Sequence, residues 1–167
     1  LGCDTHAHEG CVKADGLGIA VLAHGLDQVH PNSNKNLVDK LIEKNGLLIT
    51  EYSLGTNPMK FNYVERDRIQ SGLSEAVIVL ESDEKSGTMQ TVQFAEKQER
   101  PIGVLDFPVE AYEQGIALGN KLLIKEKRGY ALNLNDDLIT FYQSITRDKS
   151  SYAKNKKDKP TQGNFDF

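Results

Sequence analysis

Residues 76–88, AVIVLESDEKSGT, decide the fold of this chain. The first half is a continuous apolar run, which is typical of a β-strand covered on both faces. The pattern from Met89 onward predicts a helix. A strand that ends in small hydroxyl and glycine residues before a helix leaves backbone N–H groups that suit a phosphate. We therefore expect Ser86, Gly87 and Thr88 to form an anion-binding turn.

Short apolar runs alternate with helical patterns on both sides of this segment. The other predicted strands lie at 18–23, 47–50, 102–105 and 130–132. One helix face is predicted at 37–42, with Asn34 as N-cap and Gly46 just after its end. Further helices are predicted from Met89, at 116–123 and from 135. Such alternation predicts an α/β fold with a doubly wound, mostly parallel sheet and helices on both faces.

Ligands of such folds bind at the carboxyl ends of the strands. His24 and Gly25 follow the first predicted strand, residues 51–53 the second and residues 82–88 the third. The default ligand of these strand ends is a nucleotide or nucleic acid.

Arg66 and Arg68 precede the third of these strands, and arginine forks suit phosphate better than lysine does. Helix positions two residues apart point about 200° away from each other. Both arginines therefore reach one pocket only if one of them lies at the helix entrance. The alternative is two solvated side chains that pair locally with Glu65 and Asp67 for little energy.

The composition and net charge of the chain exclude some classes of protein. The 167 residues are 38% hydrophobic and 26% charged, which is typical of a soluble globular domain. The net charge of −4 argues against a protein that coats nucleic acid by charge alone, so a polyanion needs a local basic cleft. No run approaches the roughly 18 apolar residues of a membrane span, and we expect no membrane association.

The two ends of the sequence carry separate expectations. Residues 1–146 are predicted to form one domain, and the polar composition of residues 147–167 predicts a flexible tail. Residues 1–4 are typical of the turn after a strand, so we expect further strands upstream of Leu1. Cys3 and Cys11 match no redox or zinc spacing, which favours reduced thiols in a cytoplasmic protein.

The sequence argues against a metal site and against a Ser-His-Asp catalytic triad. His6 and His8 form an H-x-H pair, but only His24 and His30 remain as further imidazoles, so a capped helix start is the better interpretation. No G-x-S-x-G elbow exposes a serine. We expect no metal, no cofactor and no catalytic residue.

Five segments in unbroken order over residues 1 to about 132 resemble the motifs of the DNA processing protein A family, also called Smf. They resemble G-I-D-x-x-A-H-x-G-A-L, A-V-L-x-x-G-L-D-x-x-Y-P-x-x-N, F-P-x-R-N-R-I-I-x-G-L-S, S-G-[ST]-x-x-T-x-x-x-A and G-[TN]-N-x-L-I at residues 2–12, 20–34, 63–74, 86–95 and 118–124. Five ordered matches are far more specific than any one of them.

The resemblance implies a Rossmann-like domain of a recombination mediator. Such a protein binds single-stranded DNA, helps to load a RecA-type recombinase during DNA uptake and transformation, forms a homodimer and performs no turnover chemistry. The resemblance also implies that Arg66 and Arg68 hold backbone phosphate and that Tyr63 stacks on or flanks a base. Residues 86–88 would present N–H and hydroxyl donors, with the charge of Lys85 beside them.

The chain departs from this pattern in ways that predict weaker phosphate binding. Asp67 stands where the family has Asn, Val64 replaces a Pro, and Glu65 adds a negative charge. Two alternatives stay open. One is a nucleotide-binding sensor domain of the same superfamily. The other is a nucleotide phosphoribohydrolase, which is disfavoured because Thr91 replaces the expected acidic residue.

Overall fold

The computed structural model describes residues 2–133 and 137–156. Helices and strands alternate along the chain. The helices are α1 (Cys3–Lys13), α2 (Lys35–Glu43), α3 (Lys60–Leu73), α4 (Thr88–Lys97), α5 (Val109–Glu113), α6 (Leu118–Lys125) and α7 (Asp137–Lys156). The strands are β1 (Ile19–Val21), β2 (Leu47–Ile49), β3 (Val77–Val79), β4 (Ile102–Leu105) and β5 (Tyr130–Leu132). The predicted alternation is confirmed.

Every strand pairing in the described residues is parallel, which confirms the α/β class. The strands nevertheless form two sheets, one of β1 with β2 and one in the order β3–β4–β5. The prediction of a doubly wound sheet did not include this division. On the side of β1 away from β2, the Val21 carbonyl accepts a hydrogen bond from Arg66 Nη1 at 2.7 Å. A side chain of α3 thus contacts the backbone of β1 there.

The main core lies between the three-stranded sheet and helices α4 and α6. α4 contributes the apolar positions that the sequence pattern predicts as one face, and β3, β4 and α6 supply the facing side chains. These core residues are Val79, Met89, Val92, Ala95, Ile102, Val104 and Leu123. Burying each large aliphatic side chain stabilises the fold by roughly 1.5–3 kcal/mol, so this cluster holds the β3–α4 segment in place.

The ends of α2 differ in detail from the prediction. Asn34 occupies the N-cap position without a capping bond, and its Nδ2 instead donates to Thr5 Oγ1 at 3.1 Å. The left-handed residue after the helix is Asn45, with φ of 61°, rather than Gly46. A Cβ on Gly46 would lie 2.3 Å from Leu41 Cδ2, so packing is what requires glycine there.

The last helix extends beyond the predicted domain boundary at 146. α7 continues to Lys156, so residues 147–156 of the predicted flexible tail are helical. Residues 157–167 of that tail lie outside the described part of the chain, as do Asn135 and Asp136. Within the two described ranges, no helix has both the length and the apolar character needed to cross a bilayer.

Candidate functional site

A groove of about 640 Å³ lies between the start of α1, strand β1, helix α2 and one side of α3. Three residues of the predicted site line it, namely His24, Tyr63 and Arg66. His24 follows β1, whereas the other two lie on α3. The fold therefore brings together residues from two of the sequence segments that were proposed to bind a ligand.

Arg66 is held in a defined orientation at the wall of this groove. Its Nη1 donates to the Val21 carbonyl at 2.7 Å and its Nε to Asp67 Oδ1 at 3.1 Å. The guanidinium carbon lies 5.6 Å from the centroid of the Tyr63 ring, within the range of a cation–π contact. A guanidinium has five N–H donors, and these two hydrogen bonds use two of them. The remaining donors suit a second anion at the groove.

Asp67 joins Arg66 to the neighbouring helix. Its Oδ2 accepts a hydrogen bond from Thr91 Oγ1 at 3.0 Å, which ties α3 to α4. Burial raises the pKa of the Asp67 carboxyl, against the opposing effects of the hydrogen bond from Thr91 and the charge of Arg66. The carboxylate is thus poorly solvated although it has a cationic partner.

Arg68 lies against acidic side chains rather than in the groove. It forms an ion pair with Glu51, just after β2, and its Nε lies 3.8 Å from Glu65 Oε2. The hydrogen bond and charge of Glu51 raise the pKa of the Arg68 guanidinium. The contacts of Arg66 and Arg68 therefore differ, as expected for helix positions two residues apart.

The predicted anion-binding turn precedes α4. Gly87 is exposed at the N-cap position, whereas the Ser86 N–H, which was expected to face an anion, donates to the Asp83 carbonyl at 3.2 Å. The hydroxyls of Ser82 and Ser86 lie 2.7 Å apart, Thr88 is half-buried and Lys85 is exposed. None of these residues lines the 640 Å³ groove, and among the described residues no hydrogen bond or ion pair joins them to either arginine. The predicted residues thus do not form one site. Three line the groove, residues 85–88 lie at the turn before α4, and Arg68 and Gly25 belong to neither group.

Helix α6 fixes the strand ends behind this turn. The Nδ2 of the fully buried Asn120 donates to the Leu80 carbonyl at 3.0 Å and to the Leu105 carbonyl at 2.9 Å. A Cβ on Gly119 would lie 2.7 Å from the Ser82 carbonyl, whose oxygen accepts the Gly119 N–H at 2.8 Å. Glycine and asparagine in this order therefore allow α6 to approach the loop after β3 closely.

The loop after β1 is tightly packed. His24 is buried, its Nδ1 lies 3.0 Å from the Gly25 carbonyl, and its ring meets the edge of His30 at a centroid distance of 6.5 Å. A Cβ on Gly25 would lie 2.5 Å from Asp27 Oδ1 and 2.7 Å from the Ser53 carbonyl. Gly25 therefore allows the loops after β1 and β2 to approach each other, and it does not line the groove.

The other histidine pair and the cysteines form no metal cluster. His6 is exposed on α1, where its Nδ1 lies 3.1 Å from Glu9 Oε2. Cys3 and Cys11 are free thiols. In the part of the chain that the structure describes, no three His, Cys, Asp or Glu side chains are grouped so that they could hold a metal ion.

Sequence reasoning missed two exposed residues at the start of α3. Lys60 begins the helix and lies one turn before Tyr63, so both side chains lie on the same side of it. Phe61 is 61% exposed. The sequence signal that could have identified Lys60 is its position three residues before the aromatic Tyr63.

The parallel strands, with helices between them along the chain, define a Rossmann-like α/β domain. The family model of DNA recombination-mediator protein A matches residues 1–143. The chain belongs to that family.

Similarity to known proteins supports this family assignment. The chain is 37% identical to protein Smf of Escherichia coli K12 over 108 residues, which is 65% of this chain and 29% of the relative. The X-ray structure of DNA processing protein A from Streptococcus pneumoniae matches with a TM-score of 0.72 and 31% identity, covering 83% of this chain and 47% of that one. The chain thus spans about a third of the length of this Smf relative.

A second solved structure supports the fold alone. DNA processing protein A from Helicobacter pylori, a protein with a single-stranded DNA binding mode, matches with a TM-score of 0.68 over 86% of this chain and 72% of that one. The two sequences are 21% identical.

Proposed function

We propose that this chain binds single-stranded DNA as part of a recombination mediator and performs no turnover chemistry. Family membership supports the class of function, and one observation carries the site. The guanidinium of Arg66, held by two hydrogen bonds, lies 5.6 Å from the centre of the Tyr63 ring at the wall of a groove. A phosphate needs a cation with free N–H donors, and an unstacked base needs an aromatic face. The groove offers both within one turn of α3.

In this proposal Arg66 donates charge-assisted hydrogen bonds to a backbone phosphate. Tyr63 provides a face or an edge for the adjacent base, a contact worth about 1–3 kcal/mol in single-strand binding proteins. Lys60 adds a further positive charge at the start of α3. The turn at residues 86–88, with Lys85, would hold a second phosphate along the DNA strand. Arg68 would contact the DNA only after its ion pair with Glu51 breaks.

The wider role rests on the family. We propose that the protein helps to load a RecA-type recombinase on DNA taken up during transformation, acts as a homodimer, and works in the cytoplasm. Light scattering of the purified protein tests the dimer, and a strand-exchange reaction with a RecA-type recombinase tests the loading.

A nucleotide-binding sensor is the second candidate. The groove volume of about 640 Å³ falls in the range typical of small-molecule sites. A nucleoside monophosphate would use the same guanidinium and the same ring. The phosphoribohydrolase alternative has less support, because Thr91 carries no acid and its hydroxyl donates to Asp67.

A salt series with a labelled oligo-dT distinguishes these functions. We expect Arg66→Ala to weaken binding about tenfold and to reduce the slope of log K against log salt by about 0.7. Arg66→Lys keeps the charge but loses the fork, so it should recover the slope better than the affinity.

The matched control is Arg128→Ala. Arg128 pairs with Glu96 outside the groove, so its removal should leave the slope unchanged. Nucleoside monophosphates that displace the oligonucleotide at comparable concentration would favour the sensor. An unchanged slope in Arg66→Ala, with the fold intact by circular dichroism, would refute the proposed site.

A further inference from the structure

Asp67 lies between the groove arginine and helix α4, and its two oxygens serve different partners. Oδ1 accepts from Arg66 Nε at 3.1 Å, and Oδ2 accepts from Thr91 Oγ1 at 3.0 Å. We infer that Asp67 is a positioning residue that orients Arg66 for phosphate and at the same time limits its affinity by offsetting its charge. This inference rests on the proposed binding of single-stranded DNA.

The orienting effect follows from the geometry. The bond to Thr91 fixes the carboxylate against α4, so the group that accepts from Arg66 Nε is itself held in place. The Val21 carbonyl holds Nη1 from the other side, at 2.7 Å. A guanidinium fixed at two of its nitrogens presents its remaining donors in one direction, which reduces the entropy lost when a phosphate binds.

The charge effect follows from burial. The side chains of Arg66 and Asp67 are only 15% and 13% exposed, so solvent screens the carboxylate poorly. A phosphate that approaches Arg66 therefore meets a negative charge directly bonded to the cation. Repulsion between the two anions opposes the attraction to the guanidinium.

An amide at this position would separate the two effects. The side chain of Asn has nearly the shape of Asp, its oxygen can accept from Arg66 Nε, and its nitrogen can donate to Thr91 Oγ1. Asp67→Asn thus keeps the orientation and removes the charge. Asp67→Ala removes both, so the pair of variants distinguishes charge from position.

The test titrates a labelled oligo-dT over a salt series with the wild-type chain, Asp67→Asn, Asp67→Ala, Arg66→Ala and the double variant that combines Arg66→Ala with Asp67→Asn. Asp67→Asn should bind about two- to fivefold more tightly, with a steeper salt slope, because an offset charge becomes available. Asp67→Ala should bind more weakly than Asp67→Asn. In the Arg66→Ala background, Asp67→Asn should lose most of its gain, because the coupling acts through Arg66.

Failure of this inference and failure of the proposed DNA site would give different results. If Arg66→Ala weakens binding but Asp67→Asn binds with wild-type or lower affinity and an unaltered slope, Asp67 is only structural and this inference is wrong. If Arg66→Ala binds as the wild type does, the proposed groove fails and the inference fails with it. Thermal melts of all variants identify any effect that arises from unfolding. Asp67→Asn should melt as a folded domain because it can keep both hydrogen bonds.

Discussion

Replacing Asn120 with Ala should destabilise the domain by about 2–4 kcal/mol. The side chain is fully buried, and its Nδ2 donates to the carbonyls of Leu80 and Leu105, at the ends of β3 and β4. Each lost hydrogen bond costs about 1 kcal/mol, and a carbonyl left unpaired away from water adds a desolvation cost of roughly the same size or more. Asn120→Asp should cost at least as much, because an acceptor oxygen would then face two carbonyl oxygens.

Urea denaturation followed by circular dichroism measures this effect. We expect a lower midpoint at an unchanged m-value, because the same surface is exposed on unfolding. Asn36→Ala is the matched control, since Asn36 is exposed on α2 and its loss should change the free energy of unfolding by less than about 0.5 kcal/mol. A loss below about 1 kcal/mol in Asn120→Ala would show that this side chain does not hold the two strand ends together.

Three further predictions concern packing, titration and a surface ion pair. Gly103→Val should destabilise the fold by about 1–3 kcal/mol in urea melts, because even a Cβ would lie 2.5 Å from Leu132 Cδ1. Burial raises the pKa of Asp67, so the folded state binds more protons than the unfolded one, and stability falls as pH rises from the ordinary Asp pKa through the folded value. Asp67→Asn should therefore be more stable than the wild type at neutral pH and lose this advantage in acid. If the variant and the wild type melt at the same temperature at neutral as well as acidic pH, this prediction is contradicted. Arg128→Ala breaks a partly exposed pair with Glu96 and should cost less than about 1 kcal/mol, with an effect that high salt removes.

The order of elements could be predicted from the sequence because periodicity is a local property. The apolar run at 76–80 contains β3, and the stripe of Met89, Val92 and Ala95 is buried on α4 as its spacing indicates. The turn between them also lies where the small residues predict it. Each of these features depends on neighbours within a few positions along the chain.

The arrangement of the site depends on distant residues and could be predicted only in part. Arg66 contacts Val21 and Arg68 contacts Glu51, and nothing in the local pattern names those partners. The helical angle between the two arginines indicated that they could share one pocket only if one of them lay at the helix entrance, whereas the family resemblance implied that both hold phosphate. Gly25 similarly allows the loops after β1 and β2, which are distant in sequence, to lie close together.

The most direct test of the central claim is two-dimensional NMR of the arginine Nε–H groups during titration with oligo-dT. We predict that the Arg66 signal and the Tyr63 ring signals shift as the DNA is added, because both line the groove, while Arg128 stays unchanged. Saturable DNA binding that leaves the Arg66 and Tyr63 signals in place would contradict the assignment of this groove as the DNA site.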